Sequence, residues 1–133
     1  MSAALASAGD RLLVVDDETA ILASTCAYLN GLGYDVDGAG EREEAEALLA
    51  TECYSVVIVD MRMTGAHGRE GLELLRFLRE QCPWARAIVV TAHGSPELET
   101  EARRCGACAF LQKPVALAEI ARVAEALLTV AAE

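Results

Sequence analysis

Four apolar runs in this chain each end on a residue able to do chemistry. The run 11–15 is followed by Asp16 and Asp17, then Glu18; the run 55–60 ends in Asp60; the run 87–90 is followed by Thr91; and the run 109–111 by Gln112, Lys113 and Pro114. If the runs are neighbouring strands, one edge receives three carboxylates, a hydroxyl and an ammonium. Carboxylates held close together repel one another and resist ionisation. A hard divalent cation relieves that repulsion, and an oxygen-rich donor set of this kind suits Mg²⁺, with Mn²⁺ as a second candidate. Asp60 is then the natural nucleophile toward a phosphoryl group, forming an aspartyl phosphate. Lys113 and Thr91, together with the cation, would stabilise charge on the phosphoryl oxygens in transit. Of the 11 Lys and Arg residues, Lys113 is the single lysine. A compact ammonium and a planar guanidinium are not interchangeable where a point charge must meet phosphate.

The elements that must position these residues follow from periodicity. Apolar runs at 11–15, 55–60, 87–90 and 109–111, with a weaker one at 34–36, read as short strands, the first and third fully buried. Ile21, Leu22, Thr25, Leu29 and Leu32 recur at helical spacing over 19–32, with Gly31 and Gly33 as the stop. Further helices are expected at 41–50, 72–80 and 117–130. Ser95-Pro96-Glu97 opens another that runs to about residue 104, with Ser95 as cap and Pro96 in the first turn. Strict alternation of five strands and five helices implies an α/β fold: a doubly wound, five-stranded parallel sheet with helices on both faces. Ligands of such sheets bind at the carboxyl ends of the strands, the edge that collects Asp16, Asp17, Asp60, Thr91 and Lys113.

Bulk properties narrow the function. The 133 residues suit one domain, expected at 10–133 after a loose segment 1–9. No apolar stretch is long enough to span a bilayer and residues 1–9 do not read as a secretion signal, so a cytoplasmic location is expected and no membrane role. A formal net charge of −10 disfavours direct nucleic-acid binding. Five cysteines, an odd number, are expected to be reduced thiols. Cys105 and Cys108 have the spacing of a metal or redox pair, but ordinary packing near a helix end accounts for them equally well.

Leu13-Val-Val-Asp16-Asp17-Glu18, Val57-Ile-Val-Asp60-Met-Arg-Met63, Val89-Val-Thr91-Ala92 and Ala109-Phe-Leu-Gln-Lys113-Pro114, in that order, resemble the receiver domain of two-component response regulators. The resemblance spans about 11–130. It implies the flavodoxin-like strand order 2-1-3-4-5, as in chemotaxis regulators. It further implies Asp60 as phosphoacceptor; Asp16, Asp17, Asp60 and the backbone carbonyl of Arg62 around Mg²⁺; Thr91 and Phe110 as switch residues; and a cis bond between Lys113 and Pro114. The implied donor is a histidine kinase or phosphotransfer protein. The implied output is a shape change on the face of the fourth helix, fifth strand and fifth helix, which would meet a protein target or a second copy. Such a domain catalyses only its own phosphorylation and dephosphorylation and is not otherwise an enzyme. The chain departs from the family pattern at Thr64, where a proline is usual, and the loop before Gly71 is about three residues longer, the extra length falling within Ala66 to Arg69. Arg62 and His93 stand where the family tunes the phosphorylated lifetime.

Each residue also has a plainer reading. Asp16 and Asp17 could cap a helix, and Phe110 could be ordinary core. The chain could be a degenerate receiver that only docks partners. A phosphatase of the haloacid dehalogenase type needs a second Asp two residues after its nucleophile, and neither Arg62 nor Glu18 supplies it. A flavodoxin-like cofactor binder needs a Ser/Thr/Gly loop after the first strand, where Asp16-Asp17-Glu18 would repel phosphate.

Overall fold

The computed structural model describes residues 10–60 and 69–132. The expected loose segment 1–9, the carbonyl of Arg62, and Thr64 with most of the long loop lie outside them. In chain order the elements are β1 (Arg11–Val15), α1 (Thr19–Gly31), β2 (Asp35–Ala39), α2 (Arg42–Thr51), β3 (Val56–Asp60), α3 (Arg69–Gln81), β4 (Arg86–Thr91), α4 (Pro96–Arg104), β5 (Ala107–Gln112) and α5 (Leu117–Ala132). The strands form one parallel sheet in the order β2-β1-β3-β4-β5. The fold class and strand order match the expectation.

Side chains alternate across a strand, and here that alternation makes two cores. Leu13, Val15, Val57, Val59 and Val89 face α2, α3 and α4 and bury Ala45, Leu49, Leu74, Leu75, Leu78 and Ala102. Leu12, Val14, Val56, Ile58, Ile88 and Val90 face α1 and α5 and bury Leu29, Ile120, Ala121 and Ala124. Burial on both faces is why β1, β3 and β4 read as unbroken apolar runs. Each such Val, Leu or Ile contributes roughly 1.5–3 kcal/mol by leaving water.

Local chemistry sets the ends. Ser95 Oγ accepts the N–H of Leu98 at 3.1 Å, and Pro96 opens α4. Gly106, at φ 112°, turns the chain from α4 directly into β5. Gly33, at φ 104°, follows the end of α1.

Four expectations shift. β2 is longer than 34–36, because Asp35 and Asp37 reach across the sheet edge to Arg11 of β1 and so tolerate a strand position. α3 begins at Arg69 rather than 72. β5 starts at Ala107, with Ala107 facing Ala87 and Ala109 facing Ile88, so that Cys108 is the extra residue of a bulge. Ile21 of α1 and Leu32 just past its end fit the helical spacing yet are exposed by 38% and 52%, while Thr25 and Leu29 are buried. Cys105 is buried, Cys108 exposed, and all five thiols are free.

Candidate functional site

Parallel winding brings every strand exit to one edge. Asp16 follows β1 directly, its N–H donating to Ala39 O of β2 at 3.0 Å; Lys113 follows β5, its N–H donating to Thr91 O at 2.8 Å. These main-chain bonds fix the two exits against their neighbours. Asp60 ends β3 and Thr91 ends β4. Asp16, Asp60 and Thr91 are three of the four buried polar or charged residues among those described.

The carboxylates converge. One oxygen from each of Asp16, Asp17 and Asp60 lies within 4.8 Å of the other two, with Asp16 and Asp60 buried and Asp17 exposed. Lys113 Nζ donates to Asp60 Oδ2 at 3.2 Å and lies 3.8 Å from Asp16 Oδ2. The two oxygens of Asp16 have different partners, and α1 itself, with Glu18 at its N-cap, has no side-chain cap. Asp16 Oδ1 accepts the N–H of Glu18 at 2.9 Å at the start of α1, while Oδ2 faces the lysine. Glu18 itself is exposed and outside the cluster. Burial pushes the Asp16 carboxyl up to about 6, with the charge of Asp60 adding to the rise and the Glu18 N–H and Lys113 opposing it.

Thr91, 1% exposed, has its Oγ1 accepting the N–H of His93 at 3.1 Å, which ties the hydroxyl to the segment leading into α4. The next residue, Gly94, lies against Phe110: a Cβ there would sit 3.1 Å from Phe110 Cε1 and 3.4 Å from the Gln112 amide. Phe110 is half-buried and packs on the α2–α3–α4 side of the sheet. Thr91, His93, Gly94 and Phe110 are therefore physically continuous. Sequence reasoning does not single out Gly94; its signal is only a glycine three residues past a strand-end threonine. The Lys113–Pro114 peptide is cis.

A divalent cation fits this donor set. Among the described residues the cluster gathers three carboxylates beside the Lys113 ammonium, all oxygen donors, spaced so that one ion could touch all three. Such an ion would neutralise charge that the fold has gathered and partly removed from water.

The chain matches the family model "Response regulator receiver domain" over residues 12–125. It is 38% identical over 104 residues to the alginate biosynthesis transcriptional regulatory protein AlgB of Pseudomonas aeruginosa, covering 78% of this chain and 22% of that protein. The chain thus spans about a quarter or less of the first curated relatives it matches. Among solved structures, a CheY-like response regulator receiver domain protein from Methanospirillum hungatei superposes with a TM-score of 0.81 at 31% identity, over 90% of this chain and 94% of that one. A response regulator from Burkholderia pseudomallei, solved with a phosphorylated aspartic acid, calcium ion and citrate, superposes with a TM-score of 0.78 at 27% identity, over 90% of this chain and 71% of the other.

Proposed function

The chain belongs to the response regulator receiver domain family, and from that membership we propose that Asp60 accepts a phosphoryl group from a histidine kinase or phosphotransfer protein. The observation that carries this reading is the Asp60 carboxylate, buried at a strand exit with Lys113 Nζ at 3.2 Å and the Asp16 and Asp17 oxygens within 4.8 Å. In the Burkholderia neighbour the same fold carries a phosphorylated aspartate and a divalent cation, which supports both halves of the proposal.

Asp16, Asp17 and Asp60, with the Arg62 carbonyl, would hold Mg²⁺; when bound, the ion supplies positive charge to the phosphoryl oxygens. The protein's own groups do the rest. An Asp60 oxygen attacks phosphorus, the P–N bond to the donor imidazole breaks, and the electron pair returns to that nitrogen. Lys113, already within reach of Asp60, exchanges part of its interaction with the carboxylate for one with the incoming phosphoryl oxygens. Burial of Asp60 limits water at the acceptor.

Thr91 reports the change. Turning its hydroxyl toward a phosphoryl group surrenders the 3.1 Å bond from the His93 N–H. That releases the segment lying on Phe110 and lets the ring and α4 move together. The face of α4, β5 and α5 is where we place the readout, toward a protein target or a second copy. His93, directly bonded through its N–H to Thr91, and Arg62 are proposed to set the phosphorylated lifetime. Among the described residues no helix is long and apolar enough to cross a membrane, and a cytoplasmic location fits the proposed donor.

Incubation with acetyl phosphate and Mg²⁺, followed by intact-mass spectrometry, tests the reading. One added phosphoryl group, lost with EDTA and absent from Asp60→Asn, is expected. Equal labelling of Asp60→Asn would move the acceptor elsewhere, and no labelling of the wild type would favour a docking module without phosphoryl chemistry.

A further inference from the structure

On the α1–α5 side of the sheet lies a cavity of about 470 Å³. Its floor is Val14, Ile58 and Val90 of the sheet, and its walls are Ile21 of α1 with Leu117 and Ile120 of α5. The exposure of Ile21, out of step with its helical register, follows from this: the side chain borders a space that α5 does not fill. Thr25 of α1 is only 5% exposed and lines the same cavity. Among the described residues its hydroxyl has no hydrogen-bond partner, while no fully enclosed side-chain oxygen or nitrogen goes without one. The Thr25 oxygen is therefore open to the cavity. Buried hydroxyls as a rule find a partner. An apolar chamber of several hundred Å³ with an uncommitted polar group on its wall has the form of a small-molecule site.

We infer that this cavity binds small neutral molecules that carry one hydroxyl on an apolar body, with the hydroxyl on Thr25 and the body between α1, α5 and the sheet. Each part of the site selects one property. The Thr25 hydroxyl both donates and accepts, and a ligand hydroxyl matches it in both senses. It replaces any water on Thr25 without loss of hydrogen bonding. The apolar floor and walls reject a charged body, which would shed its water there with no ion to meet it. They reward added apolar bulk, because each methylene buried tightens binding about fourfold. Asp16, Asp60 and Lys113 also border the cavity, but their charge does not enter the selection: Val14 and Ile58 lie two residues before Asp16 and Asp60, beneath the carboxylate edge. A ligand so placed covers Ile21, bridges α1 to α5 and raises the thermal midpoint of unfolding. The inference does not require Asp60 to accept phosphate.

Calorimetric titration of the unphosphorylated full chain with phenol, p-cresol and toluene tests it, with benzoate and benzylammonium as charged controls. p-Cresol is expected to bind about fourfold more tightly than phenol for its added methyl, and both to exceed the two charged controls. Chemical shifts of the Ile58, Val90 and Ile120 methyls should move. In Thr25→Val the affinity of phenol relative to toluene should fall about fivefold, the worth of one neutral hydrogen bond, and Thr25→Ser should restore it. Val115→Phe, which adds bulk at a separate lining position, should weaken phenol and toluene alike about tenfold or more; it keeps the inference testable if Thr25→Val fails to fold. A phenol-to-toluene ratio unchanged in Thr25→Val would overturn the inference. So would benzoate or benzylammonium binding as tightly as phenol, shifts confined to other methyls, or no binding of any of the three neutral probes. No phosphodonor enters these titrations, so failure here leaves the acceptor reading standing, and an Asp60 that cannot be phosphorylated leaves the binding of neutral ligands standing.

Discussion

Asp16→Asn should stabilise the metal-free protein, and should do so only above about pH 4. Burial and the neighbouring Asp60 raise the Asp16 carboxyl from 3.8 to about 6 in the folded chain. The folded state therefore binds the proton more tightly than the unfolded state, and stability falls as pH climbs between those two values. At roughly 1.4 kcal/mol per pH unit, the penalty of carrying the ionised Asp16 at pH 7.5 is about 3 kcal/mol. Asparagine keeps an Oδ1 to accept the Glu18 N–H but removes the charge. Its gain should be about 2–3 kcal/mol at pH 7.5, reduced by the lost attraction to Lys113 at 3.8 Å, and close to zero near pH 4. Urea unfolding in EDTA at both pH values, comparing wild type with variant, measures the difference, because titrating groups remote from Asp16 cancel. A variant equally displaced at the two pH values, or destabilised at pH 7.5, would refute the electrostatic account of the cluster.

Other consequences are open to measurement. Lys113→Met removes the ammonium 3.2 Å from Asp60 and should slow labelling by acetyl phosphate about a hundredfold in a mass-spectrometric time course, with the fold intact by circular dichroism. Gly94→Ala sets a methyl 3.1 Å from Phe110 Cε1; it should cost about 1 kcal/mol in urea unfolding and shift the Phe110 ring resonances while leaving those of α1 in place. Tyr54→Phe deletes the hydroxyl that donates to Asp37 Oδ2 at 2.6 Å and should lower the unfolding free energy by about 1–2 kcal/mol, read as a lower urea midpoint.

Legibility tracked burial. Strands covered on both faces, such as β3 with its run of Val56, Val57, Ile58 and Val59, announce themselves by unbroken β-branched sequence, and their last residues then fix where Asp60 and Thr91 must lie. The site was visible for the same reason: parallel winding sends every exit to one edge, so Asp16, Asp17, Asp60 and Lys113 could be gathered from sequence order alone. Edge strand β2 was harder. Asp35, Asp37 and Gly38 look like turn residues until Arg11 is seen bonding Asp35, Asp37 and Glu52 across the chain, with Tyr54 stacked beneath its guanidinium. The start of α3 was hidden because Arg69 and Glu70 carry no apolar period; Glu70 is held instead by a long-range pair with Arg42 of α2. Helical spacing also could not show that Ile21 borders a cavity and not a packed core, since spacing reports a direction along α1 and not what stands opposite.

The central claim is that Asp60 is the acceptor. Borohydride trapping after brief exposure to a phosphodonor and Mg²⁺ converts an aspartyl phosphate to homoserine, which peptide sequencing locates. Reduction at residue 60, dependent on the cation and lost in Lys113→Met, is the predicted result. Homoserine at Asp16, Asp17 or another carboxylate, with Asp60 untouched, would contradict the account.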